Sequence, residues 1–290
     1  MNTPRCVGDV RASLGEGPVW VARERALYFV DIERPAVLRF AADDGSTMVF
    51  PMPEKIGCIA FRERGGWIAG LRSGFAFVDL ERGKVTRFVA PEPEQPGNRL
   101  NDGKCDARGR LWAGTMDDAC RAPTGALWRL SPDGAVQRMD DGYVITNGPA
   151  WSPDGRILYH NDTTRRVVLR FDCDPDAGTI ADRSVFVRLE DDEGFPDGMT
   201  VDAEGCLWLA HWGGARVTRF TPQGRVDRVL RLPVSQVTSC AFGGPLLRTL
   251  YVTTARTGLS ASALQTEPLA GGLFAIDVDV AGLPAHGFKG

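Results

Sequence analysis

One phrase recurs along this chain and limits what it can fold into. In its fullest form it is Asp197-Gly198-Met199-Thr200-Val201-Asp202-Ala203-Glu204-Gly205-Cys206-Leu207-Trp208. It reads as a polar residue before Gly on a turn, a short buried strand, a tight polar turn, and a second strand opening on Leu-Trp. Asn147-Gly148-Pro149-Ala150-Trp151 leads in the same way through Ser152-Pro153-Asp154-Gly155 to Leu158-Tyr159. Asn101-Asp102-Gly103-Lys104-Cys105-Asp106 leads to Leu111-Trp112, and Glu16-Gly17-Pro18-Val19-Trp20 to Leu27-Tyr28. With Trp67-Ile68 and Leu250-Tyr251, the aromatic strand returns six times. The intervals are about 40 to 50 residues, the period of a four-stranded propeller blade.

Within each unit the pattern is β: short runs rich in Val, Phe, Trp and Thr between Gly, Asp and Pro turns. Third strands are expected at 37–40, 75–80, 126–130, 167–171, 217–220 and 273–278, and fourth strands at 183–189 and 226–232. No sustained apolar i, i+3, i+4 pattern predicts a long helix, and 261–264 predicts a single helical turn. The last unit lacks a fourth strand, while residues 5–10 offer a spare one. Pairing the two would close the ring and remove an exposed sheet edge. The expectation is an all-β, six-bladed β-propeller with four-stranded antiparallel blades, closed by an N-terminal strand, as one domain over 1–290.

Composition excludes several function classes. A net charge of -3 with scattered Lys and Arg leaves no footprint for nucleic acid. No apolar run reaches membrane-spanning length, and residues 1–10 lack the basic start and apolar stretch of a leader. The seven Cys form no C-x-x-C, which points to reduced thiols and a cytoplasmic protein, with Cys58, Cys105 and Cys240 as small buried hydrophobes. The three His show no ligand spacing, and no G-x-S-x-G supplies a serine nucleophile. Residues 190–193 form an acidic run leading towards Asp197, and Trp212 is a candidate pocket wall.

Repeat position converts into spatial position, because the first strand of every blade lines the central channel. Four residues before Trp20, Ala60, Asp106, Trp151, Val201 and Phe242 stand Glu16, Ile56, Asp102, Asn147, Asp197 and Thr238. Three carboxylates and a carboxamide therefore face one channel mouth, with Asn101 beside Asp102. Asp-Gly and Asn-Gly also suit ordinary turns, but Glu16 does not. Like charges sharing a buried site take up a proton or bind a cation. An all-oxygen set suits a hard divalent ion such as Ca²⁺, Mg²⁺ or Mn²⁺.

Several motifs occur in fixed order: Leu14-Gly-Glu-Gly-Pro-Val-Trp20, Asn98-Arg-Leu-Asn-Asp-Gly-Lys104, Gly114-Thr-Met116, Thr146-Asn-Gly-Pro149, Phe195-Pro-Asp-Gly-Met199, Trp212-Gly-Gly214 and Phe242-Gly-Gly-Pro245. With them the chain resembles the senescence-marker-protein / gluconolactonase / luciferin-regenerating-enzyme family, in its bacterial sugar-lactonase form. The resemblance implies a six-bladed propeller with one catalytic divalent metal, Zn and Fe(II) being further options. It implies Glu16, Asn147 and Asp197 as ligands, Arg99 and Asn101 as substrate contacts, and Asp102 at the edge of the metal site. A further acidic substrate contact of the family falls near Asp117 and Asp118 without a clean match.

The chemistry so implied is metal-dependent opening of a gluconolactone- or xylonolactone-like aldonolactone to its aldonic acid. Asp197 is the candidate general base, and Arg99 and Asn101 orient the sugar. Two other readings stand beside it: hydrolysis of phosphotriesters or aryl esters on the same site, and a calcium-binding propeller without turnover. A small-molecule lactone is the expected partner, with no nucleic acid, no membrane, and a monomer or weak oligomer.

Overall fold

The computed structural model describes residues 3–290. Among these, the strands form six four-stranded antiparallel sheets, each following chain order except the last. The innermost strands of blades 1 to 6 are Gly15–Val21, Ile56–Phe61, Asn98–Cys105, Thr146–Trp151, Phe195–Val201 and Val237–Gly243. In blade 6 the chain runs through Thr249–Thr254 and Leu273–Asp277, and the outermost strand is Arg5–Gly8, paired through Arg5↔Ala275 and Cys6↔Phe274. The ring is thus closed by the N-terminal strand. The expected helical turn is the helix Ala261–Thr266, started by the Ser260 hydroxyl accepting from the Ala263 amide.

The recurring phrase has a definite physical meaning. In blade 5 Asp202 is fully buried, and its Oδ1 accepts the amides of Glu204 and Cys206 at 3.0 Å, which fixes the tight turn. Its Oδ2 accepts the Trp208 indole at 2.7 Å and Arg219 Nε at 2.8 Å. Blade 3 repeats the device: Asp106 accepts the Arg108 and Arg110 amides, the Trp112 indole at 2.8 Å and Arg110 Nε at 2.6 Å. One carboxylate therefore sets the turn, orients the aromatic ring and holds a buried arginine. The rings then pack across blade boundaries, as in Trp112 on Trp151 (centroids 6.0 Å apart) and Trp208 on Phe242 (5.7 Å). The core lies between adjacent sheets, and the channel wall is left free for polar side chains.

The C-terminal tail, expected only as a Gly/Pro-rich end, crosses the ring on the face opposite the starts of the innermost strands. Ala203 donates to Ala281 O and Gly282 to Leu247 O, tying it to blades 5 and 6. Phe288, buried, exchanges backbone hydrogen bonds with Phe61 and Glu63, and Lys289 donates to Gly109 O, which ties it to blades 2 and 3.

Because Asp202 answers four donors inside the protein, Asp202→Ala leaves the Trp208 indole, the turn amides and Arg219 Nε without their acceptor, while the rest of the guanidinium keeps Asp227 and Glu204. Loss of about 3–5 kcal/mol is expected, the scale for removing one partner of a buried ion pair. Chemical denaturation measures it, and a midpoint unchanged from the native protein would contradict this account of the repeat.

Candidate active site at the mouth of the channel

The polar residues that the repeat pattern placed on turns lie instead inside the innermost strands, and all six strands break their pairing at this level. The register shifts fall between Glu16 and Val19, Ile56 and Cys58, Leu100 and Gly103, Asn147 and Ala150, Pro196 and Met199, and Val237 and Ser239. A bulge frees backbone amides from the ladder and re-aims the side chain beside it. The freed amides are answered by the carboxylates themselves: Gly17 N donates to Glu16 Oε2 at 2.9 Å and Gly103 N to Asp102 Oδ1 at 2.8 Å. Asp102 Oδ2 accepts the Gly148 amide of the next blade at 2.9 Å, so Asp102 pins two bulges together.

Glycine follows each of Glu16, Asp102, Asn147 and Asp197, and the structure gives the reasons. Gly17 and Gly148 adopt φ of 54° and 83°, in the region that favours glycine. A Cβ at Gly198 would run into the Ser239 side chain of the neighbouring blade.

The site residues are brought together much as the register expected. Glu16, Asn101, Asp102, Asn147 and Asp197 are all buried. Asn147 Nδ2 donates to Thr163 Oγ1 at 3.0 Å, and that hydroxyl donates to Pro196 O at 2.9 Å. Asn161 donates to the Asp197 carbonyl and leaves its own Oδ1 buried without a partner. The two remaining positions of the ring are closed differently: Ile56 is apolar, and the Thr238 hydroxyl donates to Gly15 O at 2.5 Å.

Burial first, and the charge of Asp102 second, push the Glu16 carboxyl up to about 8. Burial and the charges of Glu16 and Asp102 hold Asp197 well above the carboxylate range. Asp102 is also raised by burial, against the pull of Lys104 and the Gly148 and Gly103 amides. Donor set and environment fit a hard cation: two carboxylates that burial and mutual repulsion destabilise as anions, plus a carboxamide oxygen. Among the described residues no three His, Cys, Asp or Glu side chains form a metal-holding group on their own. The expected set contains only two such residues, Asn147 being the third member.

A relay runs from this set to the rim. Asn101 Nδ2 donates to Asn147 Oδ1 at 3.0 Å and to Thr146 O at 2.7 Å, so the carboxamide is fixed by its neighbours. Arg99 Nη1 donates to Asn101 Oδ1 at 2.6 Å, and Arg99 Nε to Asp118 Oδ1 at 2.9 Å. Asp118 also takes Lys55 Nζ at 3.0 Å, which reaches on to Glu33 at 2.9 Å. Burial works against this carboxylate, but Lys55 and Arg99 outweigh it and hold Asp118 below its usual range. Asp117 does something else, accepting the amides of Ala119, Arg121 and Ala122 within its own loop. Of the two, Asp118 is the one bonded to Arg99. Lys55 and Thr163 were missed, because nothing in the repeat period points to them.

The other sequence candidates fall outside the cluster. Residues 190–193 form a capped turn whose Asp191 side chain is fully exposed, while Glu193 O accepts His211 Nδ1 at 2.9 Å. Trp212 pairs with Gln236 beside the channel. Cys58, Cys105 and Cys240 are buried free thiols.

The protein-family model described as the SMP-30/Gluconolactonase/LRE-like region matches residues 14–256. The chain belongs to this family. It is 40% identical to L-arabinolactonase of Azospirillum brasilense, over 98% of this chain and 95% of that protein. It is 39% identical to 6-deoxy-6-sulfogluconolactonase of Pseudomonas putida, over 100% and 99%. Among solved structures, a regucalcin from Agrobacterium tumefaciens, described as a calcium-binding protein, superposes with a TM-score of 0.95 at 27% identity, covering 99% of this chain and 98% of that one. No described helix is long and apolar enough to cross a membrane.

His160 is wholly buried against Tyr143, with neither ring nitrogen bonded, and burial lowers its pKa to about 3. A depressed histidine contributes stability that is complete above the unfolded value of about 6.5 and is lost as pH falls towards the folded one. On the order of 2 kcal/mol should be gone by pH 5. His160→Phe removes this term, so melting temperatures of variant and native protein should converge or cross in the variant's favour between pH 7.5 and pH 5. Parallel profiles would sink the assignment.

Proposed function

We propose that this chain is a lactonase that opens a sugar lactone to the aldonic acid with the help of one divalent cation. The observation that carries the reading is the convergence of Glu16, Asn147 and Asp197 at one level of the channel, joined through Asn101 to Arg99. The similarity to proteins named as lactonases supports the substrate class. In this reading Glu16, Asn147 and Asp197 hold the cation. Once bound, it would polarise the lactone carbonyl and stabilise the charge that develops on its oxygen.

The protein's own residues do the rest. Arg99 and Asn101 position the ring and its hydroxyls, and Asp118 keeps the guanidinium fork in place, which shortens the search for a reactive alignment. Asp102, both oxygens tied to bulge amides, fixes the edge of the site. With Asp197 ionised, as the charge of a bound cation would favour, its carboxylate takes a proton from water as the water oxygen bonds to the carbonyl carbon, and the proton goes to the ring oxygen as the ester bond breaks. Bound calcium without turnover is the second reading, favoured by the similarity to the Agrobacterium tumefaciens protein. A panel of pentono- and hexonolactones, an aryl ester and a phosphotriester, assayed with Ca²⁺, Mg²⁺, Mn²⁺ and Zn²⁺, separates the readings. Calcium binding with no turnover of any substrate would carry the second.

Arg99→Ala should keep the metal content of the native protein yet lower kcat/KM by about ten-fold or more, or about 1.4 kcal/mol of transition-state binding. Lysine should not restore it, since an ammonium cannot bridge Asp118 and Asn101 as the planar fork does. Native kinetics in the alanine variant would remove Arg99 from the site.

Asp197 gives the sharper test. Asp197→Asn keeps an oxygen for the cation but loses the proton acceptor, so it should retain metal while turnover falls about 10²-fold or more. Asp197→Ala should lose metal and activity together while circular dichroism stays native. Full activity in the asparagine variant would place the base elsewhere, and full activity in the alanine variant would overturn the site.

A further inference from the structure

The carboxylates at the mouth carry more negative charge than one divalent ion can balance. Glu16, Asp102 and Asp197 are all buried at one level of the channel, while Asn101 and Asn147 beside them are neutral. Fully ionised, the three carboxylates hold three negative charges, and a divalent cation answers two. A third charge left alone in a buried site is costly.

The chain supplies the remaining positive charge itself. Lys104 stands on the innermost strand of blade 3, two residues after Asp102. Its ammonium donates to the carbonyl of Met199, which stands on the innermost strand of blade 5, two residues after Asp197. Blade 4 lies between these two blades in the ring, so the side chain spans the channel instead of lying along its wall. The ammonium is thereby held one level beneath the carboxylates. Its charge is felt around the axis. Burial raises the Glu16 and Asp102 carboxyls and the Cys240 thiol, on blades 1, 3 and 6, and Lys104 pulls each of them back down. The arginines further along the channel are committed elsewhere, Arg110 to Asp106 at 2.6 Å and Arg108 to Asp176. Among the described residues the Lys104 ammonium forms no direct ion pair, so it takes no carboxylate oxygen away from a metal.

We infer that Lys104 is the resident cation of the channel, which completes the charge balance of the centre and so sets how tightly Glu16, Asn147 and Asp197 hold a metal and of which charge. With the ammonium in place, a divalent ion brings the three carboxylates to neutrality. Without it, the same cluster favours a trivalent one. The inference rests on the proposed cation at the mouth and not on turnover of any lactone.

Calorimetric titration of the intact, metal-stripped protein with Ca²⁺ and with La³⁺ tests it. Lys104→Met keeps the length and apolar stem of the side chain and removes its charge. Lys104→Gln also keeps a donor for the Met199 carbonyl. Both variants should bind Ca²⁺ about ten-fold or more tightly than the native protein, the scale for removing a like charge near a partly buried cation. La³⁺ should gain more than Ca²⁺, because the lost repulsion scales with the charge of the ion. A lysine that only braced the Met199 carbonyl would tighten neither. If a variant is unstable when metal-free, saturating Ca²⁺ should restore its native circular dichroism spectrum, since the ion then supplies the charge that the ammonium gave. Native or weaker Ca²⁺ affinity in both variants, equal gains for the two ions, or a variant that Ca²⁺ does not restore would overturn the inference and leave the proposed function standing. A native protein that bound neither ion would overturn the proposed cation itself, and this inference with it.

Discussion

Everything at the centre of this molecule depends on a break in the hydrogen-bond ladder, repeated at one level in all six innermost strands. An unbroken ladder would have kept the strand amides paired and alternated the side chains strictly between the two sheet faces. The bulges instead release amides, and Glu16 and Asp102 answer them with their own carboxylates. Each polar residue is thereby locked to its own backbone and also aimed at the axis. Asp102 goes furthest, since its second oxygen takes the Gly148 amide and makes the bulges of blades 3 and 4 a single unit.

That arrangement concentrates like charges where water is scarce. Burial raises the pKa of Glu16, Asp102 and Asp197, repulsion adds to it at Glu16 and Asp197, and Lys104 is the cation whose field reaches Glu16 and Asp102. Such a cluster weakens the fold locally, and something else has to hold it. The buried networks of the recurring phrase lie one step outward: Asp202 with Trp208 and Arg219, Asp106 with Trp112 and Arg110. Their charges are paired and their donors answered, which is the condition under which buried ions are tolerated. The aromatic rings they orient then seal one blade to the next.

The sequence discloses the parts of this design that obey the period. The Leu-aromatic strands repeat because every blade needs a large ring at its boundary, so blade number and register could be read directly. From the register, Glu16, Asn147 and Asp197 followed. The bulges were not legible: X-Gly in a polar context reads equally as a turn, and only the packing of Gly198 against Ser239 shows a strand at close approach. Asp118 and Lys55 were obscured for another reason. They sit on loops and meet Arg99 across blade boundaries, at separations in sequence that no local pattern encodes. The tail was hidden likewise, because its anchors are single backbone hydrogen bonds to Phe61, Glu63 and Gly109, far away in the chain.

The same separation explains how one scaffold can carry different chemistry at its axis. The aromatic and aliphatic clusters occupy the spaces between sheets, and each is built from two neighbouring blades. Of the six residues at the level of the mouth, Ile56 alone joins one of them, the cluster between blades 1 and 2. A substitution at Asp197 therefore acts on charge and coordination at the axis, whereas one at Asp202, five residues along the same phrase, acts on the turn, the ring and the blade boundary together. Ile56 and Thr238 show the freedom that results. They stand at the level of the carboxylates, yet one is apolar and the other spends its hydroxyl on Gly15 O. The strands require a bulge at that level, and the side chain beside it is left to the chemistry of the channel.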